Sequence, residues 1–369
     1  MSTRSSTGYH LAIVGVVVLT VLSLLGHAGL LWLLSAPPTV ATSRPGGTAI
    51  TTAGAGASTA SSTPSPPKPT TQGPAPAVPA YDAKTCLAPD NPATGAKLPA
   101  GDPFGDDMTD LGDKAELQRL YTVQAGRLVP ADGLAGVRPC DQQLWDVVVA
   151  TAPTLVPHIE ELLVFDTDPK PQTGDYVIDG ESRPKKLGPG SYDNSLWRLS
   201  FGPNGLSRDE LAWLIAHELA HVLSLNSSQM LPGISRQHCA TWYVGTGCPL
   251  KDSYFYRFFV NQWPDDIYDA WDTADSESDE AKRSAAYKKL YDSHKDSFVT
   301  AYAATHPLED FAESFAMWCT YAPSEKERKM LPGGSAQSGG KVEWFTAATR
   351  DLVIEVGPGC EMLRQFAVL

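Results

Sequence analysis

Between Leu211 and Leu225 the chain reads LAWLIAHELAHVLSL, fifteen residues with no Lys, Arg or Asp and with Glu218 as their only carboxylate. Leu211, Leu214, Ile215, Glu218, Val222 and Leu225 recur at helical spacing, and Ser207-x-x-Glu210 supplies a capping box at the start. A helix this apolar has to pack against a core. A lone carboxylate between His217 and His221 then needs a reason, because an unpaired charge is costly to bury. The two imidazoles stand four residues apart and share one face, at the edge of the apolar stripe, with Glu218 one step round from His217. Such a helix suits a fold that buries one side and opens its flank to a cleft. Neutral imidazoles at this spacing suit zinc, and Glu218 is placed to take a proton from a water at the ion.

Two histidines make half a site. Ser224 and Ser227 stand where an H-x-x-G-x-x-H continuation needs glycine and histidine, so the third ligand must come from elsewhere. Pro307–Thr320 (PLEDFAESFAMWCT) is the candidate helix: Pro307 fits its first turn, and Glu309 and Asp310 suit the positive end of its dipole. Glu309 is read as the third ligand. Glu313, one turn on, is read as the acceptor that orients a ligating histidine.

In these blocks the chain resembles the gluzincin group of zinc peptidases, of which thermolysin is the familiar member. The motif detail is closest to the catalytic domain of anthrax lethal factor. There a tyrosine lies seven residues before the ligating glutamate, which opens an E-F-F-A-E-A-F stretch. Here Tyr302 precedes Glu309 by seven, and the stretch reads E-D-F-A-E-S-F. The resemblance implies a zincin-like α+β domain, one Zn2+ ion, hydrolysis of peptide bonds with Glu218 as general base, and Tyr302 as donor to the oxyanion. His306 is the alternative donor. In zincins generally the substrate lies along an edge strand above the active helix, and Ser195–Phe201 is the candidate here. The resemblance covers about 35 residues in two blocks, and the 87 residues between His221 and Glu309 depart from it.

Around these blocks the coarse pattern is strands first and helices later, which points to an α+β domain with a small mixed sheet and a mainly helical C-terminal part. Asp141–Leu163 reads as helix broken near Pro153 and Pro157, running into a strand at Leu162–Phe165. Asp175–Ile178 and Ser195–Phe201 read as strands separated by turn material at Arg183–Gly190. Tyr254–Trp263 reads as a core helix, and Ser284–Ser293, Pro307–Thr320 and Val342–Val356 as later helices. The acidic run Asp265–Glu280 reads as a solvated loop; it lacks the glycine and terminal glutamate of an EF-hand.

The start of the chain sets the compartment. Leu11–Leu34 is apolar and uncharged, and its 24 residues would span about 36 Å as a helix, enough for a bilayer core. Residues 11–36 are therefore expected to be a single-pass signal anchor, with a short cytoplasmic tail at 1–10; a cleaved leader ending near Ser35-Ala36, giving a secreted form, is the alternative. Residues 37–80 are a Pro/Ser/Thr-rich linker without the large apolar side chains a fold needs. Residues 81–369 form the folded, extracytoplasmic part and hold all six cysteines. Six cysteines there suit three disulfides: Cys239–Cys248 first, with Cys86–Cys140 and Cys319–Cys360 following by proximity. A net charge of −13 argues against nucleic acid or anionic lipid as a partner of the folded part; the peptidase resemblance implies a protein or peptide substrate, and the N-terminal helix a membrane. The oligomeric state is not encoded legibly. Competing readings are a non-catalytic surface or adhesion module with structural zinc, and a zinc hydrolase acting on cell-wall peptide.

Overall fold

The computed structural model describes residues 77–87, 98, 102–104, 116–131, 136–166, 180–231, 233–321, 338–347 and 350–369. The expected anchor at 11–36, the linker to residue 76 and the expected strand at Asp175–Ile178 lie outside them. Among the described residues no helix is long and apolar enough to cross a membrane.

The domain is α+β, with a five-stranded mixed sheet covered by helices. Strands β1 (Glu116–Gln124) and β2 (Arg127–Pro130) form a hairpin that the sequence reading missed. The chain reverses through Ala125 and Gly126, both at positive φ, the backbone a two-residue hairpin demands. Helix α1 (Pro139–Thr151) stops before Pro153. A 3-10 turn at Val156–His158 leads into β3 (Ile159–Asp166), a longer strand than expected.

Two expectations are overturned at the sheet edge. Most of the Arg183–Gly190 turn material belongs to a strand, β4 (Gly180–Gly188), and only Pro189-Gly190 form the turn into its antiparallel partner β5 (Ser191–Phe201). Pro184 is tolerated because β4 ends the strand order β2-β1-β3-β5-β4, where a missing N–H faces outward. Ser195–Phe201 is accordingly not an edge: it lies inside the sheet, parallel to β3 on one side and antiparallel to β4 on the other.

Helix α2 (Arg208–Leu225) begins as its capping box dictates: Ser207 Oγ accepts from the Glu210 N–H, and Glu210 Oε2 accepts from the Ser207 N–H at 2.7 Å. Twelve of its eighteen residues are buried. After a two-stranded ribbon, β6 (Met230–Leu231) and β7 (Cys248–Pro249), comes α3 (Tyr254–Gln262), which buries Phe255, Phe258 and Phe259 as expected of a core helix. The acidic run is no loop. Asp265–Asp275 is helix α4, because Ile267, Trp271 and Ala274 fall on one face and are buried while the carboxylates face water. Helices α5 (Glu280–Ser293) and α6 (Pro307–Thr320) follow. The expected helix Val342–Val356 falls within α7 (Ser338–Ala347) and α8 (Arg350–Val368), between which residues 348–349 lie outside the described residues.

One core joins the sheet to α1, α2, α3, α6, α7 and α8, and α2 packs along α6. Where α8 crosses the end of α1, a Cβ on Gly359 would lie 1.7 Å from the Thr151 carbonyl oxygen, so only glycine permits the crossing. Three disulfides, Cys86–Cys140, Cys239–Cys248 and Cys319–Cys360, pair the cysteines as their proximity suggested. The last of them ties α6 to α8.

Candidate metal centre

His217 and His221 project from α2 toward α6, whose first turn carries Glu309. His306 caps α6 by accepting the Leu308 N–H on Nδ1 at 3.1 Å, and Pro307 takes the first helical position, as its missing N–H permits. The two helices therefore meet with three ligand atoms at one point. His217 Nε2 lies 3.2 Å from Glu309 Oε2 and 3.2 Å from His221 Nε2, and His221 Nε2 lies 3.5 Å from Glu309 Oε2.

The protonation pattern makes this convergence informative. His217 Nδ1 lies 2.8 Å from Glu313 Oε1; in the neutral ring, a proton donated there leaves Nε2 as the lone pair that would face an ion. Glu309 Oε2 is buried and receives no well-directed hydrogen bond. With the rings in that neutral form, these lone pairs would repel at such distances unless a proton or a metal ion stood among them. Donors arranged tetrahedrally about 2.0–2.1 Å from an ion would stand about 3.3–3.4 Å apart. The observed 3.2, 3.2 and 3.5 Å match that triangle. His217, His221 and Glu309 thus form a group able to hold a metal ion. His217 is buried while His221 and Glu309 are partly exposed, so one side of the focus faces outward.

Glu313 is the hub behind the ligands. Its Oε1 accepts from His217 Nδ1 and from Trp213 Nε1 at 3.1 Å, and its Oε2 accepts from Thr300 Oγ1 at 2.7 Å. Trp213 was legible in principle, standing four residues before His217 on the same helix face. Thr300 carries no such signal, because the turn that delivers it has no period.

Glu218 is buried beside the two histidines. Burial pushes its carboxyl above the ordinary range, and the neighbouring His217 and His221 oppose that rise. For His217, burial is the largest influence and acts to remove charge; the Glu309 and Glu313 carboxylates outweigh it and hold the ring well above its usual pKa. Burial likewise opposes ionisation of Glu309, but His221 and His217 hold it well below the ordinary carboxylate range. Three carboxylates around two imidazoles make a pocket that favours a cation.

Tyr302 stands on the turn before α6, its ring stacked on His217 at 5.8 Å. Burial, then the charges of Glu309, Glu218 and Glu313, keep its phenol protonated far above the usual range, so it is a hydrogen-bond donor throughout the neutral region. His306 is engaged in the start of α6. Its ring packs against Trp242 and Trp271, and its cap uses Nδ1, so the structure gives it an anchoring part in α6.

The strand β4 passes over Glu218. A Cβ on Gly180 would lie 2.7 Å from Leu214 and 3.2 Å from Glu218 Oε1, which explains a glycine there. No protein-family model, curated protein or solved structure matches this chain.

Proposed function

We propose that the chain is a zinc metalloendopeptidase of zincin-like architecture, anchored by its N-terminal segment so that residues 81–369 act outside the cytoplasm on protein or peptide substrates. The observation that carries the reading is the tetrahedral triangle of His217 Nε2, His221 Nε2 and Glu309 Oε2 with Glu218 buried beside it. Imidazole and carboxylate donors at that spacing suit zinc, and three protein ligands with an outward side suit a catalytic site, since structural zinc is usually closed by four. The committed cysteines point the same way, because thiolates are the usual ligands of a structural ion.

Bound there, zinc supplies Lewis acidity to a water and to the carbonyl beside it. The protein side chains do the rest. Glu218 takes the proton of the attacking water on its carboxylate and returns it to the departing amine. The Tyr302 hydroxyl donates to the carbonyl oxygen as negative charge develops on it, without ionising. Glu313 fixes the tautomer and the tilt of His217 through Nδ1. Three disulfides support an oxidising compartment.

The test is a purified, zinc-loaded protein assayed on casein, with metal content measured in parallel. Cleavage that stops with a chelator and returns with zinc is expected. A folded, zinc-loaded protein that leaves casein and a broad peptide library intact would overturn the peptidase reading.

A further inference from the structure

The outer edge of β4 is shorter than the strand itself. Lys186 donates its backbone N–H to the Pro103 carbonyl at 2.7 Å, so this peptide group points away from β5 and is already paired. Pro184 has no N–H to give. Peptide groups two residues apart in a strand point the same way, and the pairing irregularity near Pro184 is absorbed by β5, whose partner positions jump from Trp197 to Asp193. The groups facing outward are therefore those of Gly180, Ser182, Pro184 and Lys186. Side chains alternate consistently: Gly180 faces α2 and Glu218, whereas Lys185 reaches Glu160 on the opposite face at 3.1 Å.

The cap on this edge is firmly seated. Asp102 Oδ2 pairs with Arg198 Nη2 at 2.5 Å, and Asp102 Oδ1 accepts the Phe104 N–H at 2.7 Å. The Arg198 guanidinium lies over the Phe104 ring at 4.9 Å, and Asp102 and Phe104 are both buried. Own-chain backbone thus occupies the far end of the strand. It also demonstrates that this edge accepts main-chain pairing.

We propose that β4 is a truncated docking strand, able to pair with about four residues of extended peptide on one side of the scissile bond and then blocked by Pro184 and the Asp102–Phe104 strap. The inference rests on the peptidase reading and adds its substrate limit. From Gly180 to Pro184 the stretch is about 14 Å, four steps of about 3.4 Å. Among the described residues, no segment other than β5 is hydrogen-bonded to the peptide groups of Gly180, Ser182 or Pro184. Antiparallel pairing, the more stable arrangement, runs the residues preceding the scissile bond from Glu218 toward Pro184. The ligand class is a short extended segment, as in a flexible loop or a small peptide.

The probe is a series Ac-(Ala)n-Leu-NHOH with n from 0 to 8, in which the hydroxamate anchors at the metal and the peptide runs along the edge. Affinity for the full-length, zinc-loaded protein is measured by calorimetry. Dissociation constants should fall at least tenfold in total up to about four residues and then stay within twofold. Pro184→Ala, which restores an outward N–H, should tighten the longer members about fivefold, the worth of one net hydrogen bond. Asp102→Asn, which loosens the strap, should move the plateau to longer peptides. Affinity that keeps rising to nine residues in the wild-type protein, or that ignores length altogether, overturns the proposal alone. Failure of acetohydroxamate itself to bind overturns the metal reading, and this inference with it.

Discussion

Glu313 touches no substrate and holds no ion, yet its removal should weaken metal binding by an amount the structure sets. It accepts hydrogen bonds from His217 Nδ1, Trp213 Nε1 and Thr300 Oγ1. In Glu313→Gln the amide oxygen can keep the two partners of Oε1, while the new NH2 group faces a Thr300 hydroxyl that already accepts the Ala303 N–H at 3.1 Å. Chiefly the negative charge behind His217 is lost. Glu313→Ala loses all three contacts and frees the ring to tilt. Orienting partners of this kind are worth about 10–100-fold in metal affinity, so Gln should cost about tenfold and Ala about a hundredfold. Linkage turns this into heat stability. Zinc at a hundred times the wild-type Kd adds about 2.7 kcal/mol to the native state; at the same concentration Gln retains about 1.4 and Ala about 0.4 kcal/mol. A folded part of about 290 residues unfolds with an entropy near 0.6 kcal/mol per kelvin, so the zinc-induced rise in Tm should be about 4–5 °C, about 2 °C and under about 1 °C. Scanning calorimetry with and without zinc, beside direct titration, measures both. A Glu313→Ala protein that is folded and binds zinc as the wild type does would refute the reasoning.

Glu218→Gln should keep zinc affinity within about threefold but reduce casein cleavage to background, and retained activity in the purified variant would contradict its assignment as base. Tyr302→Phe should lower kcat about 10²–10³-fold with little change in KM or zinc content, as expected for a donor used only in the transition state; a change in KM alone would make it a substrate contact. Lys341 pairs with Asp310 at 2.6 Å with both side chains buried, so Lys341→Met should destabilise the domain by about 3–5 kcal/mol in denaturant titrations. Adding Asp310→Asn should recover most of that loss, and additive effects in the cycle would argue against the pair.

Legibility followed period. Helices α2 and α6 were readable because their apolar residues recur at a helical interval and their first turns carry distinct chemistry, Ser207 with Glu210 in one and Pro307 with Glu309 and Asp310 in the other. Each ligand lies on one of these two helices, which is why His217, His221, Glu309 and Glu313 could be named from sequence. The sheet edge was not legible. In β4, GESRPKKLG, proline and glycine mimic turn chemistry, and only the position of the strand in the sheet makes them harmless. In α4 the density of carboxylates hid a three-residue apolar face.

These two misreadings matter differently for function. Helix α4 changes only how the aromatic layer is built, through Trp271 against Trp242, Trp263 and His306. Strand β4 changes what can reach the site. An interior strand such as β5 has its peptide groups committed to β3 and β4 and can offer a substrate none of them, whereas in the proposed docking the strand beside Glu218 would supply them. On the proposed reading, the same proline that disguises β4 as a turn also limits its length as a partner. Proline at an edge removes a donor without disturbing the sheet behind it. One substitution could therefore shift how much peptide the site grips while leaving the ligand geometry of α2 and α6 untouched.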